Sequence, residues 1–123
     1  MHRMEPGKTV SQLRKGVLEY CVLSLLRDRP RFGTELLNEL ADTGALATSQ
    51  GTVYPLLARL RREELVTTEW QESPSGPPRR YYSLTPAGRT ALAEFAPVWA
   101  EFADAVDLLI AADRRPSPAR RTP

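Results

Sequence analysis

Residues 47–66 read ATSQGTVYPLLARLRREELV, and the fold turns on how this stretch is taken. Val53, Leu56, Leu57 and Leu60 stand at i, i+3, i+4 and i+7, the single apolar stripe of an amphipathic helix, with Ser49 suited to be its N-cap. Yet Gly51 and Pro55 occupy the first two turns, where a strong helix former would be expected. At 100° per residue the face opposite the stripe presents Gly51, Pro55, Ala58, Arg59 and Arg62, small at its start and basic farther along. Such a face suits an element whose N-terminal end is closely approached by a partner and whose later turns meet negative charge.

Working outward, residues 13–28 (LRKGVLEYCVLSLLRD) carry Leu13, Val17, Tyr20, Cys21 and Leu25 as a helical stripe, which RPRFG then breaks. A short helix is expected from about residue 33 to 42, with Leu36, Leu37 and Leu40 on one face and Gly44 as a left-handed C-terminal cap. Two short helices joined by the brief turn DTGALATS form a helix-turn-helix pattern. Downstream, LVTTEWQE and RRYYSL are rich in β-branched and aromatic residues and predict an antiparallel hairpin. The intervening SPSGPP reads as a loop too long and proline-rich for a tight turn. In TPAGR, Thr85 is an N-cap and Pro86 a first helical residue, opening a final helix over residues 86–113. The expected fold is therefore mainly α (α+β), a winged helix-turn-helix with a long C-terminal helix forming a dimer. Its parts are a flexible N-terminal arm (1–8), the winged helix (9–85), the dimerisation helix (86–113) and a disordered basic tail (114–123).

Composition narrows the function. At 123 residues and 41% hydrophobic content the chain accommodates one core. One cysteine, Cys21, forms no internal disulfide and points to a reducing compartment, taken here as the cytoplasm. No apolar run long enough to span a bilayer and no signal-peptide pattern is present. The net charge is +2, and removing the tail's four arginines leaves −2 for residues 1–113, so the basic isoelectric point is a property of the tail. The only histidine is His2. With no nucleophile and base pair, no metal-ligand cluster and no phosphate loop, an enzyme is set aside, and neither metal nor cofactor is expected.

A recognition helix reads bases with its N-terminal residues while phosphate contacts hold it in the major groove. Arg79 and Arg80, where the hairpin leaves its loop, stand ready for a flanking phosphate or minor groove. Lys15, near the start of the first helix, and Arg59 are further candidate phosphate contacts. The alternative for Gly51 and Pro55 is that they only shape the start of a packed helix. The alternative for the whole chain is a winged-helix protein-interaction module without specific DNA binding.

In the final helix Leu92, Phe95, Trp99, Phe102, Val106 and Leu109 alternate in steps of 3 and 4, an a/d seam that needs a partner. At about 1.5 Å per residue this helix is about 40 Å long, more than a small winged helix covers, so a second copy of the chain is the expected partner. A C2 dimer would present two recognition helices to successive major grooves about 34 Å apart.

The linked segments LRKGVLEYCVLSLLRDRPRFGTELLNEL, GTVYPLLARLRREELV and GPPRRYYSLTPAGR resemble the PadR family of bacterial transcriptional regulators, in the short form with a single C-terminal helix. The resemblance implies a homodimeric repressor on a palindromic double-stranded DNA operator, often released by a small molecule. By position it carries DNA contacts onto Ser49, Gln50, Gly51, Thr52 and Tyr54, and onto Arg79 and Arg80 at the wing. Gln50 departs from the family, many of whose members have proline there. In a member that binds planar drugs a tryptophan pair at the dimer centre sandwiches the ligand. Trp99, flanked by Phe95 and Phe102, holds a similar place and implies a planar aromatic effector; the alternative is that Trp99 only packs the dimer.

Overall fold

The computed structural model of the protein describes residues 6–111, with side chains from residue 9 onward. The elements run α1 (Pro6–Leu25), β1 (Arg31–Phe32), α2 (Gly33–Asp42), α3 (Gln50–Arg62), β2 (Val66–Ser73), β3 (Gly76–Leu84) and α4 (Pro86–Ala111), the order of a winged helix-turn-helix. The strands form one antiparallel sheet in the order β1-β3-β2. The chain divides into two compact units, the first ending at Leu92 and the second beginning at Ala93.

α1 starts earlier than its sequence pattern indicates. Pro6, whose missing N–H is harmless in a first turn, opens the helix. The last three residues of the expected arm are thus helical, and residues 1–5 lie outside the described residues. The basic tail (114–123) also lies outside them.

The first unit is held by a core of Leu18, Val22 and Leu23 from α1, Leu26 from the turn that follows it, Leu36 and Leu40 from α2, Val53, Leu57 and Leu60 from α3, Val66 and Tyr82 from the sheet, and Leu92. Each fully buried leucine contributes about 1.5–3 kcal/mol by leaving water. The stripe expected on α1 flanks this core: Tyr20, Cys21 and Leu25 pack against it without being its buried centre. Leu13 is 69% exposed, and Val17, Tyr20 and Cys21 are half-buried. α1 carries two apolar faces side by side, and the one through Leu18 and Val22, continued by Leu26 in the turn beyond the helix, faces inward. Burial pushes the Cys21 thiol above its ordinary value, so it is no reactive thiolate.

The turns explain the local sequence. At the end of α2, Thr43 donates its hydroxyl to the Leu40 carbonyl (2.6 Å), and Gly44 takes the left-handed conformation at φ 74°. α3 ends in a Schellman motif: Leu65 N–H donates to the Leu60 carbonyl and Glu64 N–H to that of Arg61, both at 3.0 Å. The left-handed residue of that motif is Glu64, at φ 63°, where glycine is usual. Thr85 then ties two elements together, since its hydroxyl donates to the Glu64 carbonyl (2.7 Å) and accepts from the Gly88 N–H (3.0 Å), capping α4. A Cβ at Gly88 would land on the Leu65 carbonyl oxygen and on Leu84, so the glycine permits α4 to start against the end of α3.

The hairpin corrects one expectation. Ser73 pairs with Gly76, so Pro74 and Ser75 make a tight two-residue turn, with proline second and glycine fourth. The register shifts between Gln71 and Ser73, where Pro77 and Pro78 oppose Glu72 in a bulge. Prolines, lacking an N–H, are accommodated where the ladder is already interrupted.

Candidate nucleic-acid interface

The start of α3 is an exposed corner. Ser49 is extended (φ −103°, ψ 165°) and its carbonyl accepts from the N–H groups of Thr52 and Val53 at 3.0 Å, while its side chain makes no capping bond. The N–H groups of Gln50 and Gly51 remain as the outstanding donors of the first turn, at the positive end of the helix dipole. Ser49, Gln50, Gly51 and Thr52 are all exposed. A Cβ built on Gly51 meets only Ser49 Oγ, at an ordinary 3.6 Å, so the fold itself does not require glycine there. Gly33 differs: a Cβ there would strike the Tyr54 ring, so its absence lets Tyr54 lie against the start of α2 while remaining 39% exposed.

Tyr54 shares an open groove of about 300 Å³ with Phe32, Gly33, Thr34, Trp70, Arg79, Arg80 and Tyr82. The start of α3 and the segment of β3 that carries Arg79 and Arg80 therefore border one groove. Side chains alternate along a strand, so Arg79 and Arg80 leave opposite faces of the sheet. Arg79 lies over the Phe32 ring (4.3 Å to the centroid) and Arg80 over Trp70 (5.0 Å). Phe32 also meets Tyr81 edge-on at 5.3 Å. Phe32, Thr34 and Trp70 escaped the sequence reading; the signal was available only through the register, which pairs Trp70 with Arg80 and Phe32 with Tyr81.

A second groove, of about 340 Å³, runs between α1 and α3 and is lined by Lys15, Glu19, Thr52, Pro55, Arg59 and Arg62, among others. Lys15 is exposed there. Arg59 is not a bare cation: it bonds Glu19 of α1 at 2.9 Å and Glu63 at 3.3 Å, which holds its guanidinium above the ordinary value, chiefly through Glu19. It ties the recognition helix to α1, and Arg62 is the exposed basic residue of that face.

The second unit is the rest of α4, which continues through Pro97 as one helix. Phe95 and Trp99 stack at 6.2 Å with 19° between their planes. Val98, Trp99, Phe102, Val106, Leu109 and Ile110 are exposed within a single chain, Phe102 and Leu109 at 62% and 76%. Leu92 does not belong with them: it is only 9% exposed and packs in the core of the first unit. Among the described residues no cluster could hold a metal ion, and no helix is long and apolar enough to cross a membrane.

Residues 22–94 match the model of the transcriptional regulator PadR-like family. The chain belongs to that family. A transcriptional regulator of Mycobacterium tuberculosis is 36% identical over 83 residues, covering 68% of this chain and 76% of that protein. A PadR family regulator from Eggerthella lenta superposes with a TM-score of 0.76 at 38% identity, covering 85% of this chain and 90% of the other. For a PadR-like regulator from Bacillus cereus the values are 0.73 and 36%, over 80% and 96%. These relatives are transcriptional regulators, not enzymes, and membership in the family implies DNA-binding regulation.

Proposed function

We propose that this PadR-family chain acts in the cytoplasm as a homodimeric repressor that binds a palindromic operator. The observation that carries the proposal is the shared surface of the recognition helix and wing: exposed Ser49, Gln50, Gly51 and Thr52 at the start of α3, with Tyr54, Arg79 and Arg80 along one groove. In this account Gly51 lets helix backbone approach the bases, outstanding N–H groups meet a phosphate, and the wing arginines and Lys15 take flanking phosphates.

Dimerisation is supported by the apolar surface that α4 leaves exposed, which spreads beyond the seam to Val98, Leu108 and Ile110, and by Val10 and Leu13 on α1. Patches of this kind mark interfaces. A planar aromatic effector held between the Trp99 side chains of two copies, flanked by Phe95 and Phe102, would alter the spacing of the two recognition helices. Coupling of about 1–3 kcal/mol is typical of such regulation. Hydroxyl-radical footprinting on the bound operator tests the dimeric account: two protected half-sites about one helical turn apart are expected, and a single protected half-site would contradict it.

A further inference from the structure

We propose that Trp70 and Phe32 are positioning residues for DNA binding, aromatic plates that hold the wing arginines in place without neutralising them. The inference rests on the DNA-binding role proposed above. The arginines of the first unit differ in what holds them. Arg29, Arg31 and Arg59 are each held by carboxylates, Glu35, Glu39 and Glu19 in turn, which fix the side chain and cancel its charge. Arg79 and Arg80 have no carboxylate partner among the described residues, and each lies instead over a ring.

A cation over an aromatic face keeps its full charge and all its N–H donors while losing rotamer freedom. For a phosphate contact that combination is favourable, because the ordering a long side chain undergoes on binding has already taken place in the free protein. The sheet register sets the geometry. Trp70 is the direct cross-strand partner of Arg80, and the two-residue β1 exists in the ladder through Arg31 and Phe32 pairing with Tyr82 and Tyr81. This gives the 62% exposed Trp70 a purpose that core packing does not supply.

The experiment is a double-mutant cycle on the full chain. Wild type, Trp70→Leu, Arg80→Ala and the double variant are titrated with the duplex from upstream of the protein's own gene over a salt series, with Trp70→Phe as the conservative variant and thermal melts to verify folding. Trp70→Leu is expected to weaken binding about two- to fivefold. Trp70→Phe should retain most of the affinity, and Arg80→Ala should lower the salt slope by about one per half-site. In the Arg80→Ala background, Trp70→Leu should then have no further effect. An equal loss with and without Arg80, no loss from Trp70→Leu, or no loss from Arg80→Ala would each overturn the positioning role while leaving DNA binding intact. Failure of the wild type to bind any duplex would instead remove the DNA-binding reading, and this inference with it.

Discussion

Replacing Gly51 with alanine separates what the fold needs from what DNA needs. The structure offers a new Cβ no closer neighbour than Ser49 Oγ at 3.6 Å, and Gly51 has no left-handed φ to lose. Alanine in a helix is favoured over glycine by up to about 1 kcal/mol, partly by restricting the unfolded chain. Gly51→Ala should therefore melt higher, by roughly 2–8 °C for a domain of this size. The same methyl group stands on the exposed face where the recognition helix would lie closest to the bases. Loss of a well-placed base contact is worth about 1–3 kcal/mol per half-site, or roughly 5- to 150-fold in affinity. Calorimetric melting and fluorescence anisotropy on one preparation read both quantities. A variant that is stabilised and binds the operator as tightly as wild type would refute the close approach of Gly51. Gly88→Ala serves as the contrast, because its Cβ collides with the Leu65 carbonyl and lowers stability by about 1–3 kcal/mol.

Phe102 is 62% exposed in one chain, about 120 Å² of aromatic surface and about 3 kcal/mol if fully covered. With two copies in a symmetric interface, Phe102→Ala should raise the dimer dissociation constant by about 10²- to 10⁴-fold in sedimentation analysis; unchanged self-association would count against the seam. Glu64→Gly relieves a left-handed side-chain clash at φ 63° and should raise stability by about 0.5–1 kcal/mol in denaturant titration. Glu35 has its carboxyl held below the ordinary value, chiefly by the hydrogen bond from Arg29 and with help from the Phe32 N–H. A depressed folded value means stability that is present above about pH 4.3 and lost as the pH falls through the lowered value. In Glu35→Gln this part of the acid dependence should vanish from melts taken between pH 7 and pH 3.

Much of the architecture was legible because the helices advertise themselves locally. α2 spans residues 33–42 as its leucine spacing indicates, and Ser49, Gly44 and Thr85 stand at the helix boundaries their chemistry suits. β1 was hidden because a two-residue strand has no period of its own; Arg31 and Phe32 are strand only through Tyr82 and Tyr81, some fifty residues away. α1 misled because two adjacent apolar faces satisfy the same spacing and only tertiary packing chooses between them. The hairpin turn was obscured by Pro77 and Pro78, which read as loop until the bulge that accommodates them is seen. For the candidate site, the exposed start of α3 could be placed from sequence. The ion pairs of Arg59 and the rings beneath Arg79 and Arg80 could not, since they depend on which distant residues the fold brings together.

Sequence-specific DNA binding is tested most directly by fluorescence anisotropy of the purified protein with the duplex upstream of its own gene against a scrambled duplex, over a salt series. Binding at least about a thousandfold tighter to the upstream duplex is expected, with log affinity falling linearly as log salt rises. Equal, weak and salt-insensitive association with both duplexes would contradict it and favour a winged helix that serves a protein partner.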